Sequence, residues 1–167
     1  MTARAERSAV RVRRATPTDR DTVLTLHRAL YVTHRDSVMP AELAELYAYR
    51  DFERVLADDV EALLHASDAV VLLAELAETT VGYISGRIEV DPRRVLPRRG
   101  VVEDWFVVPE TRGRGIGRLL FATLCDAFRD AGCQLVESAT QPFNVDARAA
   151  HAALGFHEVE IRYRRRL

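Results

Sequence analysis

Apolar and polar positions follow two periods along the chain. "VRVRRAT" at 10–16 alternates apolar and charged residues, which predicts a short strand. Thr16 and Pro17 then suit a helix start, as cap and first-turn proline. Val23, Leu26 and Leu30 follow at helical spacing over 18–31. A second helical stretch over 41–66 carries Leu43, Leu46 and Tyr47, then Phe52, Leu56, Val60 and Leu63, with a break near 48–51. "AVVLLAEL" at 69–76 reads as a buried strand, and "ETTVGYISGRIEV" returns as another after a turn near 78–80. "DPRRVLPRRG" is a loop, and "VVEDWFVV" at 101–108 is the next strand. Ile116, Leu119, Leu120, Leu124 and Phe128 form one stripe of a helix over 114–131 that ends at Gly132. "CQLVESAT" is a strand, "NVDARAAHAAL" a helix capped by Asn144, and "FHEVEIRYRRR" a closing strand or hairpin. Antiparallel strands followed by βαβ units predict an α/β (α+β) domain with a mixed sheet and helices on its faces.

The 167 residues suit one domain, spanning 10–167, with a short flexible tail at 1–9. The charged, core-less N-terminus is not a secretory signal. A net charge of -1 gives no global basic field, so no nucleic-acid partner is expected. No apolar run reaches the roughly 20 residues of a membrane helix, so no membrane partner is expected either. Cys125 and Cys133 have neither disulfide-framework nor metal spacing, and read as core thiols of a cytoplasmic protein without a metal.

Gly113, Gly115 and Gly117 stand between a strand and the first turn of a helix. Glycine lets a ligand approach the backbone, and the first N–H groups of a helix lack intrahelical partners at its positive end. This is an anion nest suited to a pyrophosphate, with Arg112, Arg114 and Arg118 adding charge. The dinucleotide fingerprint fails on spacing, because the third glycine comes one residue early. The P-loop fails because Arg118 and Leu119 follow Gly117.

At this point the sequence resembles the GNAT superfamily of acetyl-CoA-dependent N-acetyltransferases. The family pattern Q/R-x-x-G-x-G/A is matched by Arg112-Gly113-Arg114-Gly115-Ile116-Gly117, after a strand ending in "VVPE". The later pattern around Asn144 and Leu-Gly-Phe is matched by "NVDARAAHAALGF" at 144–156, apart from a tyrosine. The resemblance covers roughly residues 10–166. It implies a mostly antiparallel central sheet splayed at its centre, with helices on both faces. It implies acetyl-CoA as co-substrate, held by Val107, Val108, residues 112–118 and Asn144. Val107 and Val108 would offer unpaired backbone groups to the cofactor arm and the thioester carbonyl, a small oxyanion hole. The amine would attack the thioester directly in a ternary complex, with no protein nucleophile.

Alternation puts Glu103, Trp105 and Val107 on one face of the strand, and Asp104, Phe106 and Val108 on the other. Each acid would then serve a different face. By resemblance to polyamine and aminoglycoside 6'-N-acetyltransferases, Glu103 accepts the amine proton, while Asp104 orients the cationic acceptor and Trp105 helps to bind it. The alternative is that one acid pairs with an arginine such as Arg87, or sits at the solvated sheet end. The family's proton-donating tyrosine falls at His151. A histidine there either takes over the donation or lines the cofactor groove without acid–base work.

The acceptor is expected to be the primary amine of a small cationic molecule. The stretch 36–61 is acidic and would suit such a cation, although a solvated helix face is the commoner outcome. The closing "RYRRR" reads as an arginine-guarded edge strand or as part of a homodimer interface. Acetylation of a protein N-terminus or lysine, and a catalytically silent acyl-CoA sensor, are the rival functions.

Overall fold

The computed structural model describes residues 10–167, so the expected tail at 1–9 lies outside the described residues. Strand β1 (Arg11–Arg14) leads through a 3-10 turn at Pro17–Asp19 into helix α1 (Arg20–Thr33). The Asp19 carboxylate accepts from the Thr16 backbone N–H (2.8 Å) at that helix start. Helix α1 runs on through a wider π-helical turn, His34–Val38. A short α2 (Ala44–Tyr47) and the longer α3 (Phe52–His65) flank the expected break. Then come β2 (Ala69–Leu76), β3 (Thr79–Val90), β4 (Arg98–Val107), α4 (Ile116–Asp130), β5 (Leu135–Ser138) and α5 (Val145–Ala153).

The sheet order is β1-β2-β3-β4-β5. The first four strands pair antiparallel, and β5 joins β4 in parallel after the α4 crossover. The mixed, mostly antiparallel sheet expected from the sequence is therefore present. Helix α4 covers one face, burying Ile116, Leu120, Leu124 and Phe128 against Val70, Leu72, Ile84 and Val102. Helices α1 and α3 cover the other, where Val23, Leu26, Val60 and Leu63 meet Leu73, Tyr83 and Phe106. Gly86 and Gly100 let α4 sit close to the sheet: a methyl group on either would collide with the Phe128 ring.

Three expectations change. β4 starts at Arg98, inside the expected loop, because Arg98 and Arg99 pair with Val90 and Glu89 across the strands. Arg99 also bridges Glu89 (2.7 Å) and Glu137 (3.0 Å). The strand expected at "CQLVESAT" shrinks to Leu135–Ser138. The expected closing strand is absent: 156–167 is irregular chain without a strand partner among the described residues, with Val159, Ile161 and Tyr163 exposed. Arginines hold its end to α2 instead. Arg164 donates to the Leu46 carbonyl (2.9 Å) and covers the Tyr47 ring, and Arg166 pairs with Glu45.

Candidate active site

The pairing of β3 with β4 slips by one residue between Ser85 and Gly86. Gly86 pairs with Val102 and Ser85 with Asp104, so Glu103 is the extra residue of a β-bulge. The bulge overturns the alternation expected for the two acids. Ser85 and Arg87 both belong to the α1/α3 side of the sheet, since their β2 partners Val71 and Ala69 pack there. Asp104 accepts from Ser85 Oγ (3.2 Å) and Glu103 from Arg87 Nε (2.8 Å). Both carboxyl groups therefore lie on that side, while Trp105 and Val107 stay on the α4 side.

Their surroundings differ. Glu103 keeps 35% of its side chain exposed, and Arg87 shares its guanidinium between Glu103 and Asp68. Burial nevertheless pushes the Glu103 carboxyl above its ordinary value, with the Arg87 charge opposing. Asp104 is 13% exposed and lies 3.5 Å from His27 Nδ1 on α1. The same nitrogen is 2.8 Å from the Tyr83 hydroxyl. Tyr83 is fully buried, and its phenol is pushed well above its usual value by burial, then by the Asp104 charge. Tyr31 is raised for the same two reasons. Its ring leans on His27 at 4.8 Å and on the exposed Tyr49 at 6.0 Å between centroids. A carboxylate that accepts from Ser85 at the foot of an aromatic wall has the chemistry to attract a cation.

The other half of the site lies where β4 and β5 part. Their pairing ends at Val102–Ser138, yet β4 continues to Val107. This is the expected splay. The Val108 N–H donates to the Val81 carbonyl (2.9 Å), and the Val108 carbonyl accepts from Thr111. Val108 thus has no free backbone group, contrary to expectation. By antiparallel alternation the backbone of Val107 points the opposite way, into the gap. Its carbonyl is not free as expected: it accepts from Arg112 Nε (2.9 Å), and that guanidinium lies over the Phe106 ring.

Gly113 and Gly115 adopt left-handed φ of 76° and 80°, which glycine reaches without strain. Gly115 is the N-cap of α4, and a methyl group at either position would meet nothing within 4 Å. The N–H groups of Ile116, Gly117 and Arg118, in the first turn of α4, have no intrahelical acceptor. Arg114 and Arg118 are exposed and form no side-chain hydrogen bond or ion pair among the described residues. The loop arginines are engaged elsewhere: Arg93 and Arg94 pair with Asp91, and Arg98 donates to the Ala131 carbonyl.

On α5, Asn144 Oδ1 accepts from the Ala147 N–H (3.2 Å), the expected cap. His151 faces the splay from that helix. Its Nδ1 is 2.6 Å from the Ala147 carbonyl and its Nε2 is 2.7 Å from Ser138 Oγ. Trp105, stacked on Phe121 at 5.5 Å, meets the His151 ring edge-on at 6.2 Å. Trp105 therefore stands with the splay and α4, across the sheet from Asp104.

The profile of the Acetyltransferase (GNAT) family matches residues 30–156. The chain belongs to this family. It is 34% identical over 130 residues to an aminoglycoside N(6')-acetyltransferase type 1 of Stenotrophomonas maltophilia, covering 77% of this chain and 84% of that one. A structure of AAC(6')-Iy with the bisubstrate analogue CoA-S-monomethyl-acetylneamine superposes with a TM-score of 0.73 at 25% identity, over 96% of this chain and all of the other. A second AAC(6')-Iy structure, with CoA, superposes with a TM-score of 0.75 at 24% identity over the whole of both chains, and shares the fold.

As a GNAT acetyltransferase, the protein takes its acetyl group from acetyl-CoA. The residues present fit that molecule. The open nest at Gly113–Arg118 suits the pyrophosphate, and the gap beside Val107 suits the extended arm. Among the described residues, no three His, Cys, Asp or Glu side chains are grouped to hold a metal ion. No helix among them is long and apolar enough to cross a membrane.

The acidic stretch 36–61 is largely spent in surface pairs: Asp36 with Arg35, Glu53 with Arg28, Glu61 with Arg20. The site also holds residues that the sequence did not single out. His27, Tyr31 and Ser85 carry no motif, and their signal is burial on a helix or strand. Ser138 marks the end of β5, which no local pattern fixes.

Proposed function

We propose that this GNAT acetyltransferase transfers the acetyl group of acetyl-CoA to the 6'-amine of aminoglycosides, by direct attack in a ternary complex. The observation that carries this reading is the bulge, which sets two carboxyl groups on one side of β4 next to the open edge at Val107. Asp104, at the foot of the aromatic wall, attracts the protonated amine. Glu103, whose carboxyl is raised by partial burial, accepts the amine proton, directly or through one water. The backbone at Val107 supports the developing negative charge on the thioester oxygen. Residues 113–118 hold the pyrophosphate, and Asn144 the cofactor arm. His151 supplies the proton that the departing thiolate takes up. The 34% identical aminoglycoside acetyltransferase supports the choice of acceptor.

The cytoplasm, where acetyl-CoA is available and thiols stay reduced, is the compartment that suits this chemistry. Neither nucleic acid nor membrane is a partner in this proposal. A second copy of the chain would cover Val159, Ile161 and Tyr163 on the extended tail, and light scattering of the purified protein reads that mass.

The test is thiol release from acetyl-CoA with aminoglycosides, polyamines, amino acids and a lysine peptide side by side. Turnover with aminoglycosides well above the rest is expected. Preference for the peptide would move the assignment to protein acetylation. Binding of acetyl-CoA without turnover on any amine would make the protein a sensor.

A further inference from the structure

The hydrogen bonds of His151 restrict how it can act. A carbonyl oxygen can only accept, so the short contact from Nδ1 to Ala147 requires a proton on Nδ1. In the neutral ring Nε2 is then bare and accepts from the Ser138 hydroxyl. The single N–H of neutral His151 is thus consumed inside α5 and cannot reach into the splay. In the protonated ring both nitrogens donate, Nδ1 to Ala147 and Nε2 to Ser138 Oγ. Ser138 then turns its own O–H outward. Both states fit the same ring position, because each nitrogen faces an oxygen at 2.6–2.7 Å. The ring is otherwise packed by Trp105 and Phe156, which carry no charge.

Ser138 occupies a definite place. It is the last β5 residue paired with β4, opposite Val102, at the point where the strands separate. Val102 packs on the α4 side, and parallel partners share a face, so the Ser138 side chain lies on the side of Trp105 and His151.

We propose that Ser138 delivers the proton to the leaving thiolate, and that His151 acts through it. This deepens the functional reading above and rests on it. The Ser138 O–H bond breaks as the S–H bond forms. The Nε2–H bond of protonated His151 breaks as the Ser138 O–H re-forms, leaving neutral His151 with its proton on Nδ1. His151 regains its proton from solvent before the next turnover. Ser138 is the group aimed at the reacting atom, and His151 is the positioning and supplying group behind it.

The test combines turnover with a measurement that needs no turnover. Ser138→Ala is expected to lower kcat by about 10²-fold, within the range of general acid catalysis, with the Kd of acetyl-CoA unchanged. Ser138→Thr keeps the hydroxyl and should retain most of the rate. Ser138→Ala combined with His151→Phe should be no slower than His151→Phe alone, since the two act in series. Separately, the ultraviolet absorbance of the thiolate reports the ionisation of CoA bound to the enzyme. Loss of one donor to a charged sulfur should shift that titration upward by about one pH unit in Ser138→Ala. An unshifted titration overturns the role of Ser138. So does an unchanged kcat, or an additive loss in the double variant. Should no amine be acetylated, the functional reading fails, while the CoA titration still reads Ser138 independently.

Discussion

Glu103 and Asp104 are neighbours in the chain, yet their carboxyl groups lie on the same side of β4. Glu103 is bonded to Arg87 and Asp104 to Ser85, two residues of the same β3 face. A regular strand would have sent them to opposite faces. One inserted residue thus turns two separate acids into a pair that can share one amine.

The pair divides the work, and the division is measurable. A general base acts ionised, so kcat/KM should fall as pH drops through the Glu103 pKa, which burial has raised above the ordinary glutamate range. Glu103→Gln should abolish that acid limb and lower kcat by about 10²–10⁴-fold. Asp104→Asn should instead raise the KM of the cationic acceptor by about 10–100-fold and leave the KM of acetyl-CoA unchanged. Steady-state profiles of the two variants across pH check both.

Tyr83 supports Asp104 from below, sharing His27 Nδ1 at 2.8 Å while fully buried. His27 Nε2 already lacks a partner among the described residues. Tyr83→Phe removes a further hydroxyl from this closed space and should cost about 1–3 kcal/mol of stability. Urea unfolding of the variant gives the number.

The α4 entry depends on left-handed glycine. Gly115→Ala forces a Cβ into φ 80°, at about 1–2 kcal/mol, although nothing stands within 4 Å of it. The loss should therefore be backbone strain rather than collision. Calorimetric binding of acetyl-CoA should weaken for Gly115→Ala, and for Arg118→Ala it should weaken with a shallower salt dependence than the wild type, since one screened charge contact is lost.

The β2–β3 turn is built from residues poorly suited to it. Leu76 pairs with Thr79, and the two residues between, Ala77 and Glu78, have φ of 48° and 66°. Two-residue hairpins favour Asn-Gly at such positions. Replacing Ala77-Glu78 by Asn-Gly should add about 1–2 kcal/mol, seen as a Tm about 2–8 °C higher by calorimetry.

Much of this fold was legible because its signals are local. Helix α4 declared itself through Ile116, Leu120, Leu124 and Phe128, and the nest through three glycines. The bulge is not legible, since "VVEDWFVV" is an apolar run around two adjacent acids with no mark of an inserted residue. The slip is set by pairing with Ser85 and Gly86 on another strand. His27 reads as an ordinary position on an amphipathic helix, and is a site residue because α1 lies against β3 and β4. The parting of β4 from β5 is legible, but the backbone pairing at its edge is not: the Val108 amide serves the ladder and the Val107 carbonyl accepts from Arg112. The tail differs in the other direction: its alternating Val159, Ile161 and Tyr163 carry a strand pattern, with no strand partner among the described residues.

The assignment is tested most directly with two aminoglycosides that differ only in a 6'-amine against a 6'-hydroxyl. Acetyl-CoA consumption and product mass are followed for both. Single acetylation of the 6'-amino compound, with no turnover of its 6'-hydroxyl counterpart, is the expected result. Equal turnover of the two, or none with either, would contradict it.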